Sequence, residues 1–74
     1  MTPAELKQLI ENGIENCEAS VESEDNRHFQ ATVISDAFAG QSLVKQHQMV
    51  YATLGNTMQT DEVHALALTT RTPA

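Results

Sequence analysis

The stretch "HFQATVISDAFAGQSLVKQHQMVY", His28 to Tyr51, changes its hydrophobic period once, and that change decides the fold. In its first eight residues Phe29, Ala31 and Val33 alternate with polar neighbours, the period of a half-buried strand. The alternation stops at "DAFAGQS", where Gly40 and Ser42 prepare a helix start. From there Leu43, His47, Val50 and Leu54 recur at helical spacing, flanked by Val44 and Tyr51. The segment predicts a strand, a break and an amphipathic helix, in that order.

Upstream, "ASVESED" (Ala19 to Asp25) alternates as well, with Ala19, Val21 and Ser23 facing one way and Ser20, Glu22 and Glu24 the other. "DNR" supplies turn chemistry, so the two runs form an antiparallel hairpin whose loop ends at Arg27 or His28. "TPAEL" opens a first helix: Thr2 and Glu5 make a capping box, and Pro3 takes the first helical position, where its missing N–H costs nothing. Leu6, Leu9, Ile10, Ile14 and Cys17 follow at helical spacing, which puts Cys17 at the end of the buried stripe. Downstream, Gly55 and Asn56 stop the second helix, a short helical turn runs through Met58, and a third strand begins near Val63 or His64 and ends at Pro73.

The predicted order is α-β-β-α-α-β in one domain over residues 1–74. This is an α+β layer, a small three-stranded mixed sheet with its helices on one face. A helical crossover joins the second and third strands, which are therefore expected to pair in parallel through a right-handed connection.

Composition narrows the function classes. The net charge is −6, with only Lys7, Arg27, Lys45 and Arg71 as fixed cations. They are scattered, and phosphate neutralisation supplies most of the affinity for nucleic acid, so charge disfavours that partner. No apolar run approaches the roughly 18 residues of a membrane span, and the first residues lack a signal-peptide pattern. One cysteine permits no internal disulfide. The expected protein is cytoplasmic, monomeric by itself and not associated with membranes. No phosphate loop, nucleophile elbow, CxxC or HExxH motif is present, and a non-enzymatic role is expected.

Three histidines remain. Parallel strands start at the same end of a sheet, so His28, opening the second strand, and His64, opening the third, are predicted to share one edge beside the hairpin loop. Two neutral imidazoles suit a late transition metal but do not close a site, which usually takes four ligands. Something else would have to complete it, and an iron–sulfur cluster shared with a second protein would suit, because histidines can replace thiolates on one iron. As surface residues they would need no such role. His47 lies on the inward stripe of the second helix and is expected to pack rather than ligate. Ser42, just over a turn before it, is expected to cap that helix rather than act as a nucleophile.

These residues also resemble a known family. The run Phe38-x-Gly40-x-Ser42-x-Val44-x-x-His47-x-x-Val50-Tyr51, with Phe29, His64-Ala65-Leu66 and Thr72-Pro73, is similar to the BolA family and its short-loop IbaG/YrbA branch. The resemblance implies a class II KH-like fold. It also implies a partner, a monothiol glutaredoxin, with which a [2Fe–2S] cluster is shared. Glutathione and the glutaredoxin cysteine would ligate from one side, His64 and secondarily His28 from the other, and the isolated protein would carry no cofactor. His47 matches a structural position of the family, as do Phe38, Gly40, Ser42 and Tyr51. The family also carries an alternative, a DNA-binding regulator of stress response and cell morphology using a helix-turn-helix over residues 42–58. The GxxG phosphate clamp of KH relatives has no counterpart around Gly40, so a KH-type grip on RNA is not expected.

Overall fold

The computed structural model describes residues 1–55 and 65–73. Its elements run α1 (Pro3–Gly13), β1 (Cys17–Glu22), β2 (His28–Ser35), a 3-10 turn (Asp36–Phe38), α2 (Leu43–Thr53) and β3 (Ala65–Arg71). The sheet order is β1-β2-β3. β1 pairs antiparallel with β2, with Ala19 opposite Val33, and β2 pairs parallel with β3, with Phe29 beside Leu66. The mixed α+β sheet and its parallel pair are thus as the sequence predicts. The additional short helix expected through Met58 lies outside the described residues.

One face of the sheet makes the core. Ala19, Phe29, Ala31 and Val33 join Leu6 and Ile10 of α1, Ile14, Phe38, and Val50 and Leu54 from α2 and its cap in one buried cluster. Both helices therefore cover the same face. On the opposite face Glu18, Ser20 and Glu22 of β1 and Ala67, Thr69 and Arg71 of β3 are exposed. Period-2 patterning puts the side chains within β1 and β2 on the sides the sequence assigns, but β1 ends at Glu22, so Ser23 and Glu24, expected to continue its alternation, belong to the loop.

Local chemistry starts each helix. The Glu5 N–H donates to Thr2 Oγ1 at 3.2 Å and the Thr2 N–H to Glu5 Oε1 at 3.1 Å, completing the capping box. Ser42 caps α2 by accepting the Lys45 N–H at 3.2 Å. Such caps are each worth about 0.5–2 kcal/mol. Ser35, fully buried, donates to the Glu15 carbonyl at 2.7 Å and accepts the Ala37 N–H at 3.0 Å, so it fastens the α1–β1 connection to the 3-10 turn.

Two expectations are corrected. Cys17 does not end the stripe of α1: the helix stops at Gly13 with Ile14 as its cap, and Cys17 opens β1 opposite Ser35. Apolar spacing alone could not separate a last helical turn from the first residue of a strand. The second helix also buries less than its wheel suggests, since Leu43 is 62% exposed, Val44 68% and Tyr51 39%. Its packing is concentrated in the C-terminal half, where Val50 is buried and Thr53 meets Gly13 of α1. The N-terminal half is held instead by Gln46. That side chain accepts from Thr70 Oγ1 of β3 at 2.7 Å and donates to the Gln41 carbonyl at 3.0 Å.

The middle of the outer edge of β1 is covered. There Ala19 turns both backbone groups away from β2, and α1 meets them: Glu11 accepts the Ala19 N–H at 3.0 Å, and Lys7 donates to its carbonyl at 3.1 Å. Lys7 and Glu11 pair with one another at 2.9 Å. An unpaired strand edge is an open template for another chain, and this i, i+4 pair occupies it.

Two expected outcomes follow from this packing. A Cβ on Gly13 would stand 2.5 Å from Thr53 Cγ2 and 2.8 Å from Thr53 Cβ. Overpacking of this kind costs about 1–3 kcal/mol, more than the helix-propensity gain of at most about 1 kcal/mol from Gly to Ala. Gly13→Ala should therefore lower the urea midpoint, and an unchanged or raised midpoint would contradict the close approach of α1 to α2. The second outcome concerns acid. The Ala19 N–H and then Lys7 hold the Glu11 carboxyl below its ordinary value of 4.5. A carboxylate with a lowered folded-state pKa contributes stability that is complete above the unfolded value and lost as pH falls through the folded one. Stability should thus decline below 4.5, and Glu11→Gln should flatten that decline in urea midpoints measured from about pH 6 to pH 3.

Candidate functional site

The hairpin loop between β1 and β2 is built around Asp25. Its Oδ1 accepts the backbone N–H groups of Arg27 and His28, each at 2.9 Å. Its Oδ2 meets Nδ1 of the His28 ring at 2.7 Å. Ser23 braces the same turn, donating to the His28 carbonyl at 2.7 Å and accepting the Asn26 N–H at 2.9 Å. Asn26 has φ +59°, a left-handed conformation that asparagine tolerates better than most residues. The sequence "SEDNRH" thus closes a turn whose side chains hold their own backbone.

This arrangement fixes the electrostatics of the pair. The His28 N–H, the His28 ring and the Arg27 N–H, in that order, hold the Asp25 carboxyl far below its ordinary value of 3.8. An ionised carboxylate only accepts, so Nδ1 of His28 carries the proton that bridges them. The His28 side chain is 59% exposed. It borders an open groove of about 480 Å³ lined by the loop, the start of β2 and Ala67 of β3.

His64 lies outside the described residues. Ala65, which follows it in the sequence, is the parallel register partner of His28. The two strands therefore begin level with one another, as the parallel topology requires, while the predicted meeting of His28 with His64 lies outside the described residues. Among the described residues no group of three or more His, Cys, Asp or Glu side chains converges as a metal site. Cys17 is remote from the loop. It pairs with Ser35, seven residues along β2 from His28 and about 23 Å away at strand rise. Burial, and then the neighbouring Glu11 carboxylate, push its thiol up, which suits an inert packing residue.

The other motif residues form the frame between β2 and α2. Phe38 is fully buried in the 3-10 turn, and Gly40 adopts φ +76°, a conformation that side chains other than glycine rarely take. Ser42 is the helix cap expected of it, and Tyr51 stands partly exposed. His47 is half-buried, and its Nε2 is sealed from solvent with no hydrogen-bond partner among the described residues. Asp25 and Gln46 were not singled out by sequence. For Asp25 the available signal was an Asp three residues before a histidine inside a turn. Gln46 gave no signal, because its link to Thr70 joins residues far apart in the chain.

Among the described residues no helix is long and apolar enough to cross a membrane. The sequence profile of the BolA-like protein family matches residues 6–74. Two relatives from Escherichia coli match 95% of the chain: the DNA-binding transcriptional regulator BolA, 39% identical over 70 residues, and the acid stress protein IbaG, 33% identical over 70 residues. The matched region spans 62% of the first and 82% of the second. A solved bolA homologue from Coxiella burnetii superposes with a TM-score of 0.86 at 42% identity, covering 99% of this chain and 92% of that one. The solved BolA domain of SufE1 from Arabidopsis thaliana superposes at 0.82 with 29% identity, covering 96% of this chain and 91% of the domain. The chain's match to the Arabidopsis SufE-like protein 1 spans only 12% of that protein's length. A chain matched along nearly its whole length by this profile, with the same order of strands and helices, belongs to the BolA-like protein family.

Proposed function

We propose that this protein is a non-enzymatic adaptor in iron–sulfur cluster handling or iron homeostasis, working in the cytoplasm as a complex with a monothiol glutaredoxin. In this reading a [2Fe–2S] cluster bridges the two proteins as shared cargo. Glutathione and the glutaredoxin cysteine ligate on one side, and His64, with His28 second, on the other. The observation that carries the reading is the register: His28 is the parallel partner of Ala65, the residue that follows His64 in the sequence, so β2 and β3 begin level with one another. The donor chemistry fits as well, since an imidazole whose Nδ1–H is held by a carboxylate is the usual form of a histidine ligand. Imidazole in place of thiolate raises the potential of such a cluster.

The name of the Escherichia coli relative supports a second reading, DNA binding through residues 42–58. The exposed first turns of α2 offer it a surface, yet Lys45 is the one fixed cation in that segment. Binding of this kind would depend on phosphate contacts and weaken steeply with salt.

The decisive test mixes the protein with a monothiol glutaredoxin, glutathione, iron and sulfide, and records visible absorption and circular dichroism. A spectrum distinct from that of glutaredoxin alone is expected for wild type and for folded His47→Ala. It should be lost in His64→Ala and weakened in His28→Ala. Identical spectra with and without this protein would remove the adaptor reading. DNA binding that survives physiological salt would put the regulator in its place.

A further inference from the structure

Resting on the reading of His28 as a ligand, we infer that Asp25 is a positioning residue that makes Nε2 of His28 the ligating nitrogen. Neutral imidazole has two tautomers, and only the nitrogen without a proton can donate to a metal. In the hairpin loop that choice is made by contact. Asp25 Oδ2 lies 2.7 Å from Nδ1, and an acceptor at that distance requires the proton to be on Nδ1. The lone pair is then on Nε2.

Asp25 is itself held in place. Its other oxygen, Oδ1, accepts the Arg27 and His28 N–H groups at 2.9 Å, so the carboxylate cannot rotate without giving up both. Ser23 fixes the turn from the other side through the Asn26 N–H and the His28 carbonyl. The ring and the carboxylate that orients it therefore belong to one hydrogen-bonded unit. Outer partners of this kind commonly change metal affinity by about 10- to 100-fold when they are altered.

The geometry also supplies a clean variant. In Asp25→Asn, Oδ1 can keep both backbone hydrogen bonds, so the turn is preserved. The amide nitrogen then replaces Oδ2 beside the ring. It donates to Nδ1 and drives the proton to Nε2, which blocks the nitrogen that should ligate. An aspartate-to-asparagine change that leaves geometry intact but selects the wrong tautomer has a large effect in the catalytic triad of serine proteases.

The test has two arms. In the isolated protein, imidazole nitrogen shifts are recorded by long-range proton–nitrogen NMR at a pH where the ring is neutral. Wild type should show Nδ1–H at His28, and Asp25→Asn should show Nε2–H with its backbone spectrum otherwise native. In the second arm, the stability of the cluster-bridged complex with glutaredoxin is titrated for wild type, Asp25→Asn and His28→Ala. Asp25→Asn should weaken it by about 10- to 100-fold, as much as His28→Ala does. An Nε2–H tautomer in the wild-type protein would overturn the inference without any cluster present. So would an Asp25→Asn complex of wild-type stability beside a weakened His28→Ala, and that result would leave the ligand reading of His28 intact. A His28→Ala complex indistinguishable from wild type would overturn both.

Discussion

The parallel pairing of β2 with β3 is the constraint on which the rest of the molecule depends. β2 is the central strand, and both of its edges are used along nearly its full length. Its inner face supplies Phe29, Ala31 and Val33, the part of the core that neither helix can provide. Because β3 runs parallel to it, the chain must leave the far end of β2, cross over the sheet, and return to the end where β2 began. The 3-10 turn and α2 make the first part of that journey, and Gln46 fastens α2 to Thr70 on β3. The same topology gives the start of β2 and the start of β3 a common edge. Structure and proposed function therefore share one cause.

Charge is used locally rather than globally. Despite a net charge of −6, the few cations and acids that matter are paired across short distances. Lys7 and Glu11 cover the middle of the β1 edge, where Ala19 would otherwise offer an unpaired N–H and carbonyl. Asp25 organises the hairpin loop through two backbone amides and one imidazole. In both places a carboxylate is stabilised in its ionised form by backbone N–H donors, and a second side chain completes the arrangement. One occupies the middle of a strand edge, while the other orients an exposed ring.

Much of the fold was legible because its signals are local. The alternation of Phe29, Ala31 and Val33 marked β2, the Thr2–Glu5 box marked the start of α1, and Ser42 marked the start of α2. Parallel pairing followed from a rule about crossovers rather than from any residue. The apolar faces were legible only in part. Leu43 and Val44 carry the helical period of a buried stripe and are nevertheless exposed, because periodicity shows which face is apolar but not what packs against it. Cys17 fitted the period of α1 and belongs to β1, since one apolar residue after a helix end fits either element. Of the candidate site, the edge shared by His28 and the start of β3 could be derived from topology. Asp25 could not, because its role depends on a turn geometry that brings one carboxylate to two amides and a ring.

The central claim is that the functional edge is the start of β2 and β3, not the exposed face of α2. The most direct measurement maps cluster-loaded monothiol glutaredoxin onto the isotope-labelled protein by NMR. The account predicts shift changes and paramagnetic broadening concentrated at Ser23 to Phe29 and at Ala65 and Leu66, with Ser42 to Tyr51 little changed. Broadening centred on α2, with the hairpin loop undisturbed, would contradict it.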